Sequence, residues 1–473
     1  MGRVNPYLFV NFVKTRYGGH FFIHDMQTPK NIAVIGSGLV GSLLAIYLKK
    51  RGHEVDVYDR RPDIRHTAFS GRSINLAMSV RGWKALAEVG IEEEIRKLGI
   101  PMDKRAIHPM EGEVYFQPYG KEREAIYSIS RGVLNKKMID LAEATGARFI
   151  FNSRVWDVDL PEAKIYLGDE ENAPWTPVKY DHVFGADGAF SRVRHKMQRR
   201  SLFNYSQSFL ESGYKELTIP ANADGSHKLD KHSLHIWPRG KFMLIALPNL
   251  DGSFTCTLFM PLEGKYSFEA LTDEKIVEEF FSHYFADVRH EIENLKKDFF
   301  KNPTSTLVTI KCDPWTYWDK VALVGDAAHA IVPFYGQGMN AGFEDIMTLN
   351  DLMNAYQDDW ELIFKAYQKL RKPNADAIAQ LSLNNFMEMS SKTADPDFLL
   401  RKQIEKWFSE RHPDKWVPLY TRVTFSTKPY AEALKEGDRQ KAIMDQVMAM
   451  EGIRDQWATD EVEQKILELL ESH

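Results

Sequence analysis

The chain has 473 residues, which at ~150 residues per domain suggests about two or three domains. Lys plus Arg number 61 and Asp plus Glu 66, so the net charge is −5 and no basic excess argues for a nucleic acid or an anionic membrane surface. With only Cys256 and Cys312, a disulfide framework and an all-cysteine metal site are excluded, a single disulfide is not, and a reducing, cytoplasmic compartment is expected.

Residues 1–25 mix aromatics with Arg3, Lys14, Arg16, His20 and His24 and lack the continuous apolar core of a signal peptide. They are expected to form a poorly ordered extension or to reflect an upstream start, with the working chain opening near Met26. Residues 31–35 form a short apolar strand, 40–51 a helix stopped by Gly52, and 54–58 a second strand, which together make a parallel-sheet unit. The run from Asn31 to Leu48 has no charge and approaches the length of a membrane span, but Gly36, Gly38 and Gly41 interrupt it. Amphipathic helices are expected over 79–98 and 132–145, and short buried strands over 183–186 and 321–324, each ending in a Gly/Asp turn. Residues 214–219, 234–237, 241–247 and 253–260 alternate as strands, and Asp251-Gly252 marks a hairpin between the last two. Met243, Ile245 and Leu247 share one face of their strand, and Thr255, Thr257 and Phe259 share one of theirs. From Gly342 onward helical periodicity dominates, with a break around 411–418, and no long apolar run follows Asp438 that would serve as a tail anchor.

Gly36-Ser37-Gly38-Leu39-Val40-Gly41 follows a strand, opens a helix and precedes Asp59 at the end of the next strand. In a G-x-G-x-x-G turn the first glycine permits the tight bend, the second admits a pyrophosphate, and the third lets the helix pack on the strand. An acidic residue about 20 positions on suits the ribose hydroxyls of an adenosine. This fingerprint does not choose between NAD and FAD.

Two later motifs do. Asp187-Gly188 with Ser191, Val193 and Arg194 forms D-G-x-x-S-x-V-R, and Gly325-Asp326-Ala327-Ala328-His329 with Pro333 forms G-D-A-A-H and a downstream proline. Gly336 and Gly338 then lead into a helix starting near Met339, whose N-terminus would favour an anionic reduced ring. In this order the three motifs resemble the single-component FAD-dependent aromatic hydroxylases over roughly 30–430. The resemblance implies an α/β fold: a Rossmann-like FAD-binding domain (26–100, 125–200 and 301–355), an inserted antiparallel β-sheet substrate domain (101–124 and 201–300), and a helical C-terminal region (356–473). It implies FAD as cofactor and NADPH as co-substrate, with no metal. The implied flavin-binding set is Gly36, Gly38, Val40, Gly41, Asp59, Arg60, Ala77, Arg131, Asp187, Asp326, Gly338, Met339 and Asn340. His329 is expected only to pack.

Further segments narrow the resemblance to the branch that hydroxylates L-kynurenine with O2 to 3-hydroxykynurenine by way of a flavin C4a-hydroperoxide. They are Gly71–Ala77, Gln117–Gly120, His235–Gly240 with Ile245–Asn249, Pro333–Asn340 and Glu388–Lys392. Tyr335 departs from the family's pattern within the fourth. Kynurenine is an aromatic amine carrying an amino-acid carboxylate, so a binder needs a cation and an apolar slot. The resemblance puts Arg105, Tyr119, Asn385 and Tyr420 at the carboxylate, with Lys104 and Asn384 as neighbouring alternatives. Leu234, Met243, Ile245, Leu247, Phe259 and Phe334 would line the ring pocket; their strand parity equally suits plain core packing. Alternatives are a hydroxylase of the same family with another aromatic carboxylate, such as a hydroxybenzoate or salicylate, a FAD-binding redox protein without hydroxylation, and a membrane-attached form.

Overall fold

The computed structural model describes residues 28–67, 75–120, 124–170, 174–357, 359–391 and 395–472. The expected extension 1–25 lies outside the described residues, as do Gly71–Ile74 and Lys392 of the resembling segments.

Five parallel strands run in the order Val321–Leu323, His182–Gly185, Asn31–Ile35, Glu54–Tyr58, Arg148–Ile150, with Thr316–Tyr317 added antiparallel at one edge. The central strands are apolar throughout because both faces are covered; Ala33, Val34, Val183, Phe184 and Ala322 are fully buried. The helix Leu39–Lys50 covers one face with Leu43, Leu44, Ala45 and Ile46. The first strand sits inside the sheet, so the strand order reverses around it. Gly36, Asp59, Ala186 and Gly325 all follow the carboxyl ends of their strands, where such sheets bind ligands.

A seven-stranded sheet stands against this unit, in the order Ser305–Asp313, Asn204–Ile219, Phe254–Pro261, Phe242–Pro248, Ser233–Arg239, Lys104–Ile107, Tyr115–Pro118. Every pairing is antiparallel except that of Ser233–Arg239 with Lys104–Ile107. Residue alternation sorts its two faces. Leu244, Ala246, Cys256 and Leu258 pack beneath the sheet against Val277, Phe281 and Phe285, while Met243, Ile245 and Leu247 oppose Phe259, Thr257 and Thr255 on the upper face. Gly252, at φ 85°, turns the hairpin between the last two of these strands.

Three expectations change. Residues 79–98 make two helices, Val80–Glu88 and Glu92–Arg96, because Gly90 adopts φ 72° between them. The strand 214–219 is the end of the much longer Asn204–Ile219. Ser305–Asp313, which sequence places with the flavin-binding segments, pairs along Asn204–Ile219 as an edge of the seven-stranded sheet.

The C-terminal part is helical: Trp360–Ser391, Pro396–Arg411, Leu419–Thr424, Tyr430–Met448, Ile453–Gln456 and Asp460–Ser472. Ile404, Phe408, Trp416, Ile443, Met444, Val447 and Ile466 give it a core of its own. Among the described residues, no helix is long and apolar enough to cross a membrane. Cys256 and Cys312 are free thiols, both buried.

Candidate active site

A cavity of about 1610 Å³ opens between the carboxyl edge of the parallel sheet, the upper face of the seven-stranded sheet and the C-terminal helices. At one end the glycine fingerprint is built as its roles require. Gly36 sits at φ 111°, and a Cβ there would fall 2.4 Å from the Ala186 carbonyl oxygen. Gly38 faces open space, with nothing within 4 Å of a built Cβ. Gly41 does not line the cavity; its missing Cβ, 2.0 Å from the Gly36 oxygen, lets the helix seat on the turn.

Asp59 is buried beside this turn. Its Oδ2 accepts from the Ser37 amide at 3.1 Å and hydroxyl at 2.7 Å, and the Arg61 guanidinium donates to the same oxygen at 2.9 Å. Burial works against the charge, but the hydrogen bonds and charge of Arg61 outweigh it and hold the carboxyl below its ordinary range. Asp187 is the opposite case. Its Oδ2 accepts the Arg192 amide at 2.6 Å, its Oδ1 is buried without a partner, and burial pushes the carboxyl upward. Asp326 faces the cavity from the turn after Val321–Leu323, and its carboxylate makes no hydrogen bond among the described residues. Val40, Arg60, Ala77, Arg131, Gly338 and Met339 line the same end. The starts of Leu39–Lys50 and Gly338–Tyr356 both open into it, and the first amides of a helix lack intrahelical partners. Two free helix starts, an open glycine cradle and an orphaned carboxylate oxygen fit FAD.

The Asn340 side chain faces the protein. It is fully buried and does not line the cavity. Its Nδ2 donates to the carbonyls of Ala77 and Gly336, each at 2.9 Å, and its Oδ1 accepts the Ser79 amide at 3.0 Å, so the side chain locks the turn before its helix. Arg194 likewise braces the protein: it donates to the carbonyls of Ala327, at 2.8 Å, and Ala189, tying the second motif to the third.

At the other end Arg105, Tyr119, Tyr335 and Tyr420 meet. Tyr420 stacks between Tyr119 (centroids 5.4 Å, 15°) and Tyr335 (5.7 Å, 18°). The Arg105 guanidinium carbon lies 4.0 Å from the Tyr420 ring centroid. Arg105 Nε and the Tyr119 hydroxyl are buried without hydrogen-bond partners, and among the described residues no carboxylate pairs with Arg105. Burial and the neighbouring Tyr420 keep the Tyr119 phenol far above its ordinary range, so it is a neutral donor. Lys104, one residue along, points to the other face and pairs with Asp230 at 3.0 Å. Asn385 and Asn384 both border the cavity; Asn385 Nδ2 donates to the Phe334 carbonyl at 2.7 Å, whereas Asn384 accepts from Gln380 along its own helix. Leu234, Met243, Ile245, Leu247, Phe259 and Phe334 form an apolar wall between the two ends.

One feature of the site has no counterpart among the sequence expectations. Beneath the Asp326 turn, His329 Nε2 lies 2.5 Å from Asp345 Oδ2, which also accepts the Gly325 amide at 3.0 Å. Arg371 joins Asp345 at 2.8 Å and Glu344 at 2.6 Å, and Glu344 continues to Arg81. All five side chains are buried. The available signal was Glu344-Asp345 amid Phe343, Ile346, Met347 and Leu349: adjacent acids within an apolar stretch need buried cations.

Residues 30–382 match the family model described as FAD binding domain. The chain is 66% identical over 445 residues to kynurenine 3-monooxygenase of Christiangramia forsetii, covering 94% of this chain and 100% of that protein. The enzyme of the same name from Flavobacterium johnsoniae is 67% identical over 446 residues, with 94% and 100% covered. That of Dictyostelium discoideum is 41% identical over 441 residues, with 90% and 94% covered. Among solved structures, 2-methyl-3-hydroxypyridine-5-carboxylic acid oxygenase shares the fold, with a TM-score of 0.65 at 20% identity over 78% of this chain and 95% of that one. PqsL of P. aeruginosa does so with a TM-score of 0.63 at 18% identity over 77% and 97%. The fingerprint turn, the two Asp motifs on the carboxyl edge and near-full-length identity of this order together place the chain in the FAD-binding kynurenine 3-monooxygenase family.

Proposed function

We propose that this chain hydroxylates L-kynurenine to 3-hydroxykynurenine with bound FAD, NADPH as reductant and O2 as oxygen source. One oxygen atom enters the ring, the other leaves as water, and NADPH supplies the two electrons. The flavin, when bound, carries the redox chemistry. The protein binds, orients and excludes water.

The observation that carries this reading is the orphaned pair of polar groups at the far end of the cavity. Arg105 Nε and the Tyr119 hydroxyl, both buried without hydrogen-bond partners, suit a ligand carboxylate, because leaving such groups unmatched is unfavourable. The guanidinium fork of Arg105 can take both carboxylate oxygens, Tyr119 adds a neutral donor, and Tyr420 and Asn385 close the pocket from the helical side. The apolar wall from Leu234 to Phe334 then receives the aromatic ring and keeps water from the reacting atoms. The amino group of kynurenine activates the carbon ortho to it, so no strong protein base is required. The flavin end would be held by the Gly36–Gly41 turn, Asp59, Asp187, Asp326 and the helix start at Gly338. We assign the protein to the cytoplasm, in keeping with two buried free thiols.

Purified protein with its flavin spectrum recorded, then assayed for NADPH oxidation with and without L-kynurenine, tests the reading. The expected result is substrate-dependent turnover and a product one oxygen atom heavier by mass. Equal or better hydroxylation of a hydroxybenzoate or salicylate would replace kynurenine as substrate, and flavin binding without hydroxylation of any of them would refute the activity.

A further inference from the structure

The segment from Leu419 to Tyr430 joins the two ends of the cavity. Near its start, Tyr420 stacks on Tyr335 and lies under Arg105. At its end, the Tyr430 hydroxyl donates to Gln337 Oε1 at 2.8 Å. Gln337 immediately precedes the flavin-facing helix Gly338–Tyr356, is 1% exposed, and does not line the cavity. Its Nε2 donates back to the Tyr335 carbonyl at 3.4 Å, and its Oε1 also accepts the Ser79 hydroxyl at 3.5 Å. The loop 333–338 is therefore gripped twice by one segment, through the Tyr335 ring and through the Gln337 amide. From the opposite side Asn385 holds the Phe334 carbonyl at 2.7 Å.

Tyr430 is itself tightly seated. It is fully buried, its ring lies 3.9 Å from the Arg81 guanidinium carbon, and Arg81 also donates to the Lys428 carbonyl. Arg81 continues through Glu344 into the helix that Gln337 precedes. Removing the hydroxyl leaves the ring and its cation contact in place and withdraws only the bond to Gln337.

We propose that Tyr430 is a positioning residue for hydroxylation: through Gln337 it fixes the loop 333–338, so that the Phe334 wall of the ring pocket and the Gly338 helix start keep one register. This rests on the proposed function. With the loop loosened, substrate still binds at Arg105, but its ring no longer meets the activated oxygen in register. Electrons from NADPH then go to hydrogen peroxide: NADPH, a proton and O2 give NADP⁺ and H2O2 in place of hydroxylated product.

The test uses FAD-loaded Tyr430→Phe, Gln337→Met and the double variant. Product and H2O2 are measured per NADPH oxidised, alongside the Tm. The expected result is at least a twofold fall in product per NADPH for each single variant, a matching rise in H2O2, and no fall in the double variant beyond that of Gln337→Met, since Tyr430→Phe removes one of the three hydrogen bonds that Gln337→Met removes. The ratio belongs to the folded enzyme and does not depend on how much of it is folded. A lowered Tm with a wild-type ratio would therefore assign Tyr430 a purely structural role and overturn the proposal, as would losses that multiply in the double variant. If Tyr430→Phe does not fold, a wild-type ratio in Gln337→Met overturns the proposal, and a fall that Ser79→Ala does not reproduce supports it. Wild-type enzyme that forms no hydroxylated product would instead overturn the proposed function.

Discussion

Arg105 offers the sharpest test of how the far end of the cavity works. It stands on Lys104–Ile107 beside Leu234, with its guanidinium against Tyr420 and no described carboxylate to pair with. Arg105→Ala would remove two charge-assisted hydrogen bonds to the substrate carboxylate, each worth about 1.5–3 kcal/mol. The substitution also relieves the desolvation of a buried cation, so the net loss is about 3–4 kcal/mol, or about 10²- to 10³-fold in substrate affinity. Arg105→Lys keeps the charge but not the fork, and an intermediate loss is expected. The assay is KM for L-kynurenine with product formed per NADPH, repeated with decarboxylated kynurenine. Wild-type enzyme should discriminate strongly between the two substrates, and Arg105→Ala should not. A KM within about threefold of wild type, well short of the tenfold that 1.4 kcal/mol gives, with discrimination intact, would refute the carboxylate assignment.

Gly36→Ala should yield protein with little bound FAD, read from the flavin absorption of the purified sample. Its Cβ would press to 2.4 Å from the Ala186 carbonyl oxygen at φ 111°, so full FAD content would show the turn is not the pyrophosphate cradle. Burial pushes His182 and His235 down to about 4 from an ordinary 6.5. The unfolded chain then takes up protons below pH 6.5 that the folded chain refuses until about 4, so stability is full above pH 6.5 and falls as pH drops through that window. The loss is about 3 kcal/mol per residue at most. Urea midpoints at pH 7.5 and 5.0 should show it, and His235→Gln should flatten the dependence; a midpoint unchanged between the two would rule it out. Arg371→Met leaves buried Asp345 and Glu344 with only His329 and Arg81 as cationic partners and should lower unfolding stability by about 3–5 kcal/mol, checked by urea denaturation.

The glycine turn and the strand ends that line one end of the cavity were legible because they are written in short local motifs. Gly36 and Gly41 are each required by a close backbone approach, Gly38 leaves the turn open, and Asp59 and Asp326 each follow a strand that hydrophobicity alone picks out. Strand parity was equally readable: Met243, Ile245 and Leu247 share a face for geometric reasons. What parity cannot say is which face meets a cavity and which meets a helix, since Leu244 and Ala246 are just as apolar. Periodicity also failed to see that Asn204–Ile219 would need an edge partner, and Ser305–Asp313 supplied it from across the expected boundary. The Asn340 side chain was not legible: its three hydrogen bonds to the protein are visible only once Ala77, Ser79 and Gly336 are brought beside it. Arg105 and Lys104 differ by one strand position: Arg105 lines the cavity, while Lys104 pairs with Asp230 on the opposite face.

The buried charges beneath the flavin end raise the question of why such a core keeps them. Arg81, Glu344, Arg371, Asp345 and His329 come from four stretches of sequence, and an apolar cluster of the same volume would be as stable or more so. Charged partners differ from apolar ones in being directional. Asp345 can satisfy His329, Arg371 and the Gly325 amide only if the turn that carries Asp326 lies at one distance from the helix that starts at Gly338. Arg371 also donates to the Ala341 carbonyl at 3.1 Å, one turn from that start, which sets the helix along its axis as well. Apolar packing would tolerate a slide of these elements past one another, whereas the hydrogen-bonded network does not. A flavin held as proposed, by Asp326 on one side and the helix start on the other, would need that spacing constant, and the network sets it.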